Sequence, residues 1–140
     1  MLVLERKVLE KIIKHCKKEF PLEACGIFVG RNDKAEKIFA LPNIEKDSTR
    51  FLADAKEQLK AFKETEKLKM KILGIYHSHP DGSAYPSSRD RELAFYPDFF
   101  YLIVSLKNFN NPEIRVYRIN GDKIEEEKMK IQGGQNAFRR

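Results

Sequence analysis

Two short apolar runs, Cys25-Gly26-Ile27-Phe28-Val29-Gly30 and Lys71-Ile72-Leu73-Gly74-Ile75-Tyr76, are too apolar for a surface and too short for a buried helix. Both read as buried strands, and amphipathic segments flank them. Residues 5–20 repeat at helical spacing, with Val8, Leu9, Ile12, Ile13 and Cys16 on one face and Lys7, Lys11, Lys14 and Lys18 opposite. Phe20-Pro21 ends that helix. The turn pair Asn32-Asp33 joins the first strand to a second over Glu36 to Leu41, closed by Pro42-Asn43, in a hairpin. Residues 43–52 form a polar loop. A second helix is expected from Ala53 to about Leu68, with Leu52, Ala55, Leu59 and Phe62 inward and Lys56, Lys60, Lys63 and Lys67 as a solvent stripe. Residues 80–86 hold Pro80, Gly82 and Pro86 and form a loop, after which Ser87-Ser88-Arg89-Asp90 opens a short helix to about Phe95. Phe100 to Leu106 is a central strand. Ile114 to Ile119 and Lys123 to Ile131 flank Asn120-Gly121, a strong hairpin signal. Two longer helices, one short helix and about six strands make an α+β fold on a mixed sheet.

The chain has 140 residues, which suits one domain, expected over residues 1–132, with a flexible polar tail over 133–140. A TIM barrel is excluded by length. The formal net charge is +6, but basic residues alternate with acidic ones, as in Lys63-Glu64-Thr65-Glu66-Lys67. That pattern is a solvated surface rather than a nucleic-acid patch. No apolar run is long enough for a membrane span, and the first residues lack a signal-peptide core. Cys16 and Cys25 make no disulfide framework. A reduced, cytoplasmic protein is therefore expected, with no nucleic-acid or membrane partner; a homodimer is left open.

The stretch that carries chemistry is His77-Ser78-His79-Pro80, then Ser87, then Asp90. Histidines at i and i+2 of a strand point to one face, so their rings can converge on one ion. The loop 80–86 lets the chain return and brings Asp90, in the first turn of the next helix, within reach as a third ligand. Two imidazole nitrogens and a carboxylate suit zinc, and three protein ligands leave a fourth position open, the pattern of a catalytic site. Ser87-x-x-Asp90 is equally a helix start, with Ser87 as N-cap and Asp90 reaching back. The two readings are compatible, because a cap would aim Asp90 at the preceding strand end. A hydrolase also needs a proton carrier. Glu23 stands at the mouth of a buried strand, although spacing alone ties it to nothing in the histidine motif.

These residues together resemble a JAMM (MPN+) metalloprotease. The family pattern is a Glu, then His-x-His-Pro, six residues, Ser, two residues and Asp. Here it runs Glu23; His77-Ser78-His79-Pro80; Asp81 to Pro86; Ser87; Ser88-Arg89; Asp90. The stretch Pro21-Leu22-Glu23-Ala24-Cys25-Gly26 also matches the family's Pro-x-Glu-x-Cys-Gly run. The resemblance implies a mixed, curved sheet flanked by two longer helices and one short one. It implies one catalytic Zn²⁺ on His77, His79 and Asp90, Glu23 as general base and acid, and Ser87 as oxyanion donor. It implies a zinc isopeptidase cutting between the C-terminal Gly-Gly of a ubiquitin-like modifier and a lysine, similar to the small archaeal enzymes that remove such modifiers. The substrate tail would lie extended against a sheet edge, with loop 43–52 as a wall of its channel.

Three other readings compete. One is a hydrolase releasing an amino acid from a ubiquitin-like sulfur carrier. Another is a metal-free MPN scaffold, which the complete ligand set disfavours. The third is a thiol hydrolase using Cys25 with His77; against it, Cys25 is more simply a small buried hydrophobe. His15, on the lysine-rich side of its helix, is expected at the surface. The run Phe95-Tyr96-Pro97-Asp98-Phe99-Phe100-Tyr101 is expected to pack as core and loop.

Overall fold

The computed structural model describes residues 1–133. In chain order its elements are β1 (Leu2–Glu5), α1 (Arg6–Glu19), β2 (Cys25–Arg31), β3 (Lys34–Leu41), α2 (Ala55–Lys67), β4 (Lys71–His79), α3 (Ser88–Glu92), β5 (Phe100–Ser105), β6 (Glu113–Asn120), β7 (Lys123–Glu127) and β8 (Met129–Gln132). They form one eight-stranded sheet in the order β7-β6-β5-β4-β2-β3-β1-β8. The β4–β5, β1–β3 and β1–β8 pairs are parallel and the others antiparallel, so the sheet is mixed.

The two ends of this sheet, β7 and β8, are separated in the chain by Lys128 alone. In a flat sheet of eight strands they would stand roughly 30 Å apart. The sheet must therefore curl until its edges meet, and the Lys128 carbonyl accepts the Leu2 N–H at 3.0 Å. Helix α1 fills the curl. Its buried face of Val8, Leu9, Ile12, Ile13 and Cys16 packs with Leu2, Leu4, Phe28, Tyr76, Leu102 and Val116 from strands all round the sheet. Each such side chain contributes about 1.5–3 kcal/mol by leaving water. On the outer face, alternate residues Cys25, Ile27 and Val29 of β2 pack with Leu41 and Ala61 beneath α2.

Gly74 of β4 marks a close approach. A Cβ there would meet the Phe100 carbonyl oxygen at 2.0 Å and the Phe28 ring at 2.5 Å. Gly74→Ala is expected to cost about 3 kcal/mol, because paired backbone cannot step aside. Urea denaturation would measure it, and a loss below about 1 kcal/mol would show that the β4–β5 ladder yields.

Several expectations need correction. Strand β1 has no local signal in the sequence, because its partners β3 and β8 lie far along the chain. Lys123 to Ile131 is not one strand but two, broken at Lys128 where the pairing changes from β6 to β1. Helix α2 begins at Ala55, where the Asp54 side chain accepts from the Lys56 and Glu57 N–H groups. Its buried positions are Ala61 and Thr65, while Leu59 is 53% exposed. Small residues let this helix sit close against the sheet, and Thr65 returns its hydroxyl proton to the Ala61 carbonyl at 2.7 Å. His15 is half-buried rather than at the surface, with Nδ1 2.7 Å from the Tyr76 hydroxyl. The tail expected over 133–140 lies outside the described residues except for Gly133, whose carbonyl accepts from Arg6 Nε at 2.9 Å. Among the described residues no helix is long and apolar enough to cross a membrane.

Candidate metal centre

Strands β4 and β5 run parallel, so the chain between them must cross over the carboxyl end of β4. That crossover carries α3. Alternation along β4 sends His77 and His79 to the outer face, opposite Tyr76 and Ser78, and α3 brings Asp90 above them. The three ligand atoms form a triangle: His77 Nε2 to His79 Nε2 is 3.1 Å, His77 Nε2 to Asp90 Oδ2 3.0 Å and His79 Nε2 to Asp90 Oδ2 2.9 Å. All three residues are buried. Donors of a tetrahedral zinc, bonded at about 2.0–2.1 Å, stand about 3.3 Å apart, so these edges are close to what that ion needs.

The tautomer agrees. His79 Nδ1 lies 2.7 Å from the Ser83 carbonyl, an acceptor only, so Nδ1 carries a proton. In the neutral ring this leaves the Nε2 lone pair facing the triangle. Asp90 is aimed by its own helix start. Ser87 Oγ accepts the Asp90 N–H at 3.1 Å while Asp90 Oδ2 accepts the Ser87 N–H at 2.9 Å. The cap and the ligand are one arrangement. Because the Ser87 oxygen accepts, its own hydroxyl proton is free to donate elsewhere.

Burial alone would raise the Asp90 carboxyl, but the charge of His77 and hydrogen bonds from both imidazoles and Ser87 hold it well below the usual carboxylate range. Burial works against a charged His79, yet its hydrogen bonds to Asp90 and Ser83 outweigh it, and its pKa is raised. These opposite shifts describe a cluster that wants positive charge at its centre, from protons or from a metal.

Glu23 is 3% exposed. The antiparallel register Cys25↔His77 places the start of β2 beside the end of β4. Ser78, between the two histidines, completes the link: its Oγ accepts the Ala24 N–H at 2.8 Å, and its N–H donates to the Ala24 carbonyl at 3.1 Å. Burial pushes the Glu23 carboxyl up to about 8, against the pull of His79 and with the repulsion of Asp90. Its Oε1 has no hydrogen-bond partner.

Beside the triangle runs an apolar groove of about 240 Å³, lined by Phe51, Leu52 and Ala53 of the 43–53 loop, by Leu93, Phe95 and Tyr96 after α3, and by His77 and Asp90 themselves. The expectation for the aromatic run is thus corrected in part. Phe100 and Tyr101 are core, while Phe95 is 70% exposed at the groove. Cys25 lies in the groove floor, and burial pushes its thiol up to about 12. That is the wrong direction for a thiolate nucleophile. Cys16 is raised likewise, mainly by burial.

Sequence reasoning missed Ser78, Ser83, Asn43 and Phe51, whose ring stacks on His77 at 4.6 Å between centroids. Ser78 had a local signal, since it sits between two same-face histidines and must point the other way. Ser83 is only four residues from His79 but acts through its backbone carbonyl, which no residue type announces; Asn43 and Phe51 act across the fold and had no local signal.

The model of the "prokaryotic homologs of the JAB domain" matches residues 5–120. The CysO-cysteine peptidase of Mycobacterium tuberculosis is 33% identical over 94% of this chain and 91% of its own length. The probable TtuB-protein conjugate cleaving protease of Thermus thermophilus is 41% identical over 64% of this chain and 61% of its own. Among solved structures, protein DSY2949 of Desulfitobacterium hafniense superposes with a TM-score of 0.87 at 34% identity, covering 97% of this chain and 96% of that one.

Proposed function

We propose, for a chain that belongs to the family of prokaryotic JAB-domain homologues, an isopeptidase that cuts the amide bond between the C-terminal Gly-Gly of a ubiquitin-like protein and a lysine side chain. The chain is a JAMM-type hydrolase, and its donor triangle suits one zinc. The observation that carries the proposal is a buried Glu23 carboxyl whose Oε1 has no partner, set by the Cys25↔His77 register beside a donor triangle of which His77 and Asp90 line an apolar groove.

His77, His79 and Asp90 would hold the zinc, which would supply Lewis acidity to the scissile carbonyl and to the attacking water. Glu23 takes a proton from the attacking water as the carbon–oxygen bond forms. The Ser87 hydroxyl donates to the carbonyl oxygen as negative charge develops there. Glu23 then delivers its proton to the departing amine as the carbon–nitrogen bond breaks. Burial raises the affinity of Glu23 for a proton, which suits a group that must hold one between two steps. Strand β4 is paired on both sides, by β2 and β5. The edge available to an extended tail is therefore the 43–53 loop, itself a narrow ribbon in which the Ile44 N–H donates to the Leu52 carbonyl at 2.9 Å. The free, buried thiols Cys16 and Cys25 agree with a reducing cytoplasm.

A second reading, release of an amino acid from a ubiquitin-like sulfur carrier, is favoured by the Mycobacterium relative, which matches 94% of this chain. The same residues would serve, since both leaving groups are amines. The experiment presents a lysine-linked conjugate and a carrier extended by one cysteine beyond Gly-Gly side by side. Faster cleavage of the first supports the isopeptidase; preference for the second replaces it with the carrier reading; cleavage of neither overturns both.

Ser87→Ala separates cap from catalysis. It is expected to cost about 1 kcal/mol of stability through the lost cap and to lower kcat roughly 100-fold through the lost donor. At a temperature where the variant is fully folded, the first effect cannot cause the second. An unchanged kcat would leave Ser87 as a cap only.

A further inference from the structure

We propose that Asn43 is a positioning residue for Glu23, holding the backbone of the proton carrier to the loop that walls the groove. The inference rests on the reading of Glu23 above.

Glu23 precedes β2 and has no place in the sheet's ladder. Its carboxylate Oε1 has no partner, so no bond there fixes its direction. The aim of the side chain must come from its backbone. Both backbone groups are served by one loop: the Glu23 N–H donates to the Asp47 carbonyl at 2.8 Å, and the Glu23 carbonyl accepts from Asn43 Nδ2 at 3.0 Å. The same Asn43 amide organises that loop. Nδ2 also donates to the Arg50 carbonyl at 3.2 Å, and Oδ1 accepts from the N–H groups of Glu45 at 3.0 Å and Leu52 at 2.9 Å. Two donors and two acceptors exhaust what a carboxamide can offer. Of the four bonds, three fold the loop and the fourth ties it to Glu23. The loop also reaches the metal side, through Phe51 stacked on His77 and Glu45 3.4 Å from Arg89, the neighbour of Asp90. Asn43 thus sits where the groove wall and the proton carrier share one hydrogen-bonded unit.

Asn43→Asp keeps shape and both acceptors but loses both donors and faces two carbonyl oxygens with a charge. Its kcat is expected to fall at least about tenfold with KM within about threefold and one zinc per chain retained. The Glu23 amide proton, bonded to the Asp47 carbonyl of the loop that Asn43 folds, is expected to exchange at least about tenfold faster, while those of Ile27 and Phe28 in β2 keep their protection. Leu52→Ala, which trims the groove wall but keeps the Leu52 N–H, is expected to raise KM and leave kcat. A raised KM with unchanged kcat in Asn43→Asp would make Asn43 part of the wall only, and unchanged Glu23 exchange would show that it does not hold the carrier. If Asn43→Asp loses zinc or fold, Asn43→Ala decides, and the same loss there makes Asn43 a fold residue and overturns the proposal. A wild-type protein that cleaves neither substrate overturns the functional reading instead, and exchange at the Glu23 N–H still reports whether the loop that Asn43 folds holds the Glu23 backbone through Asp47.

Discussion

Glu23→Gln is expected to reduce cleavage by about 10²- to 10⁴-fold, the range for a general base and acid, while one zinc per chain stays bound. Glutamine keeps the size and polarity of the protonated acid but cannot take a proton from water. The metal ligands are other residues, so metal content is the internal control. Stability should move the other way. Burial raises the Glu23 pKa to about 8, so a charged Glu23 disfavours the fold. For a raised pKa, the stability contributed by the neutral form is complete below the unfolded value and lost as pH rises through the folded value. That window runs from about 4.5 to about 8. Metal-free Glu23→Gln should therefore melt above the metal-free wild type at pH 8 and close to it at pH 4.5. A variant that retains full activity, or that loses zinc, would remove Glu23 from the role assigned to it.

Removing the metal should abolish activity and also destabilise the fold, increasingly so as pH rises. An ion present at 1,000 times its dissociation constant stabilises the state that binds it by about 4 kcal/mol. Zinc competes with protons for the imidazoles, so its contribution grows as pH increases. The metal-free protein changes in the opposite sense. His79 has a raised pKa, and the stability of its charged pairing with Asp90 is complete below the unfolded value, about 6.5, and lost above it. Asp90 is lowered, so its contribution is present above about 4 and lost only in acid. Between pH 6 and 8 both terms widen the gap between metal-loaded and metal-free protein. Calorimetry with and without chelator would show it, with zinc add-back restoring cleavage and melting temperature together. A gap that narrows with pH would mean that the metal does not sit on the imidazoles.

The local parts of the site were legible because they depend on short-range geometry. Two histidines at i and i+2 of a strand share a face whatever surrounds them. Ser87 and Asp90 satisfy each other as a helix start whether or not a metal is near. Glu23 is different. Its place beside the histidines depends on the register Cys25↔His77 and on the Ser78–Ala24 bonds. Without the family resemblance, nothing local in the sequence joined it to them.

The misjudged elements share one cause. Helix α2 looked amphipathic about Leu59, but Asp54 sets where the helix begins, and the sheet accepts the side with Ala61 and Thr65. Strand β1 and the break at Lys128 exist only because distant strands supply partners. Alternation, helical spacing and turn chemistry were enough for the sequence to determine most elements, the strand-end histidines and the aim of Asp90, since each is a property of neighbouring residues. The curl of the sheet, the burial of Glu23 and the tether from Asn43 were decided by the tertiary structure alone, because hydrogen-bond register and burial arise between segments whose separation along the chain carries no record of their contact.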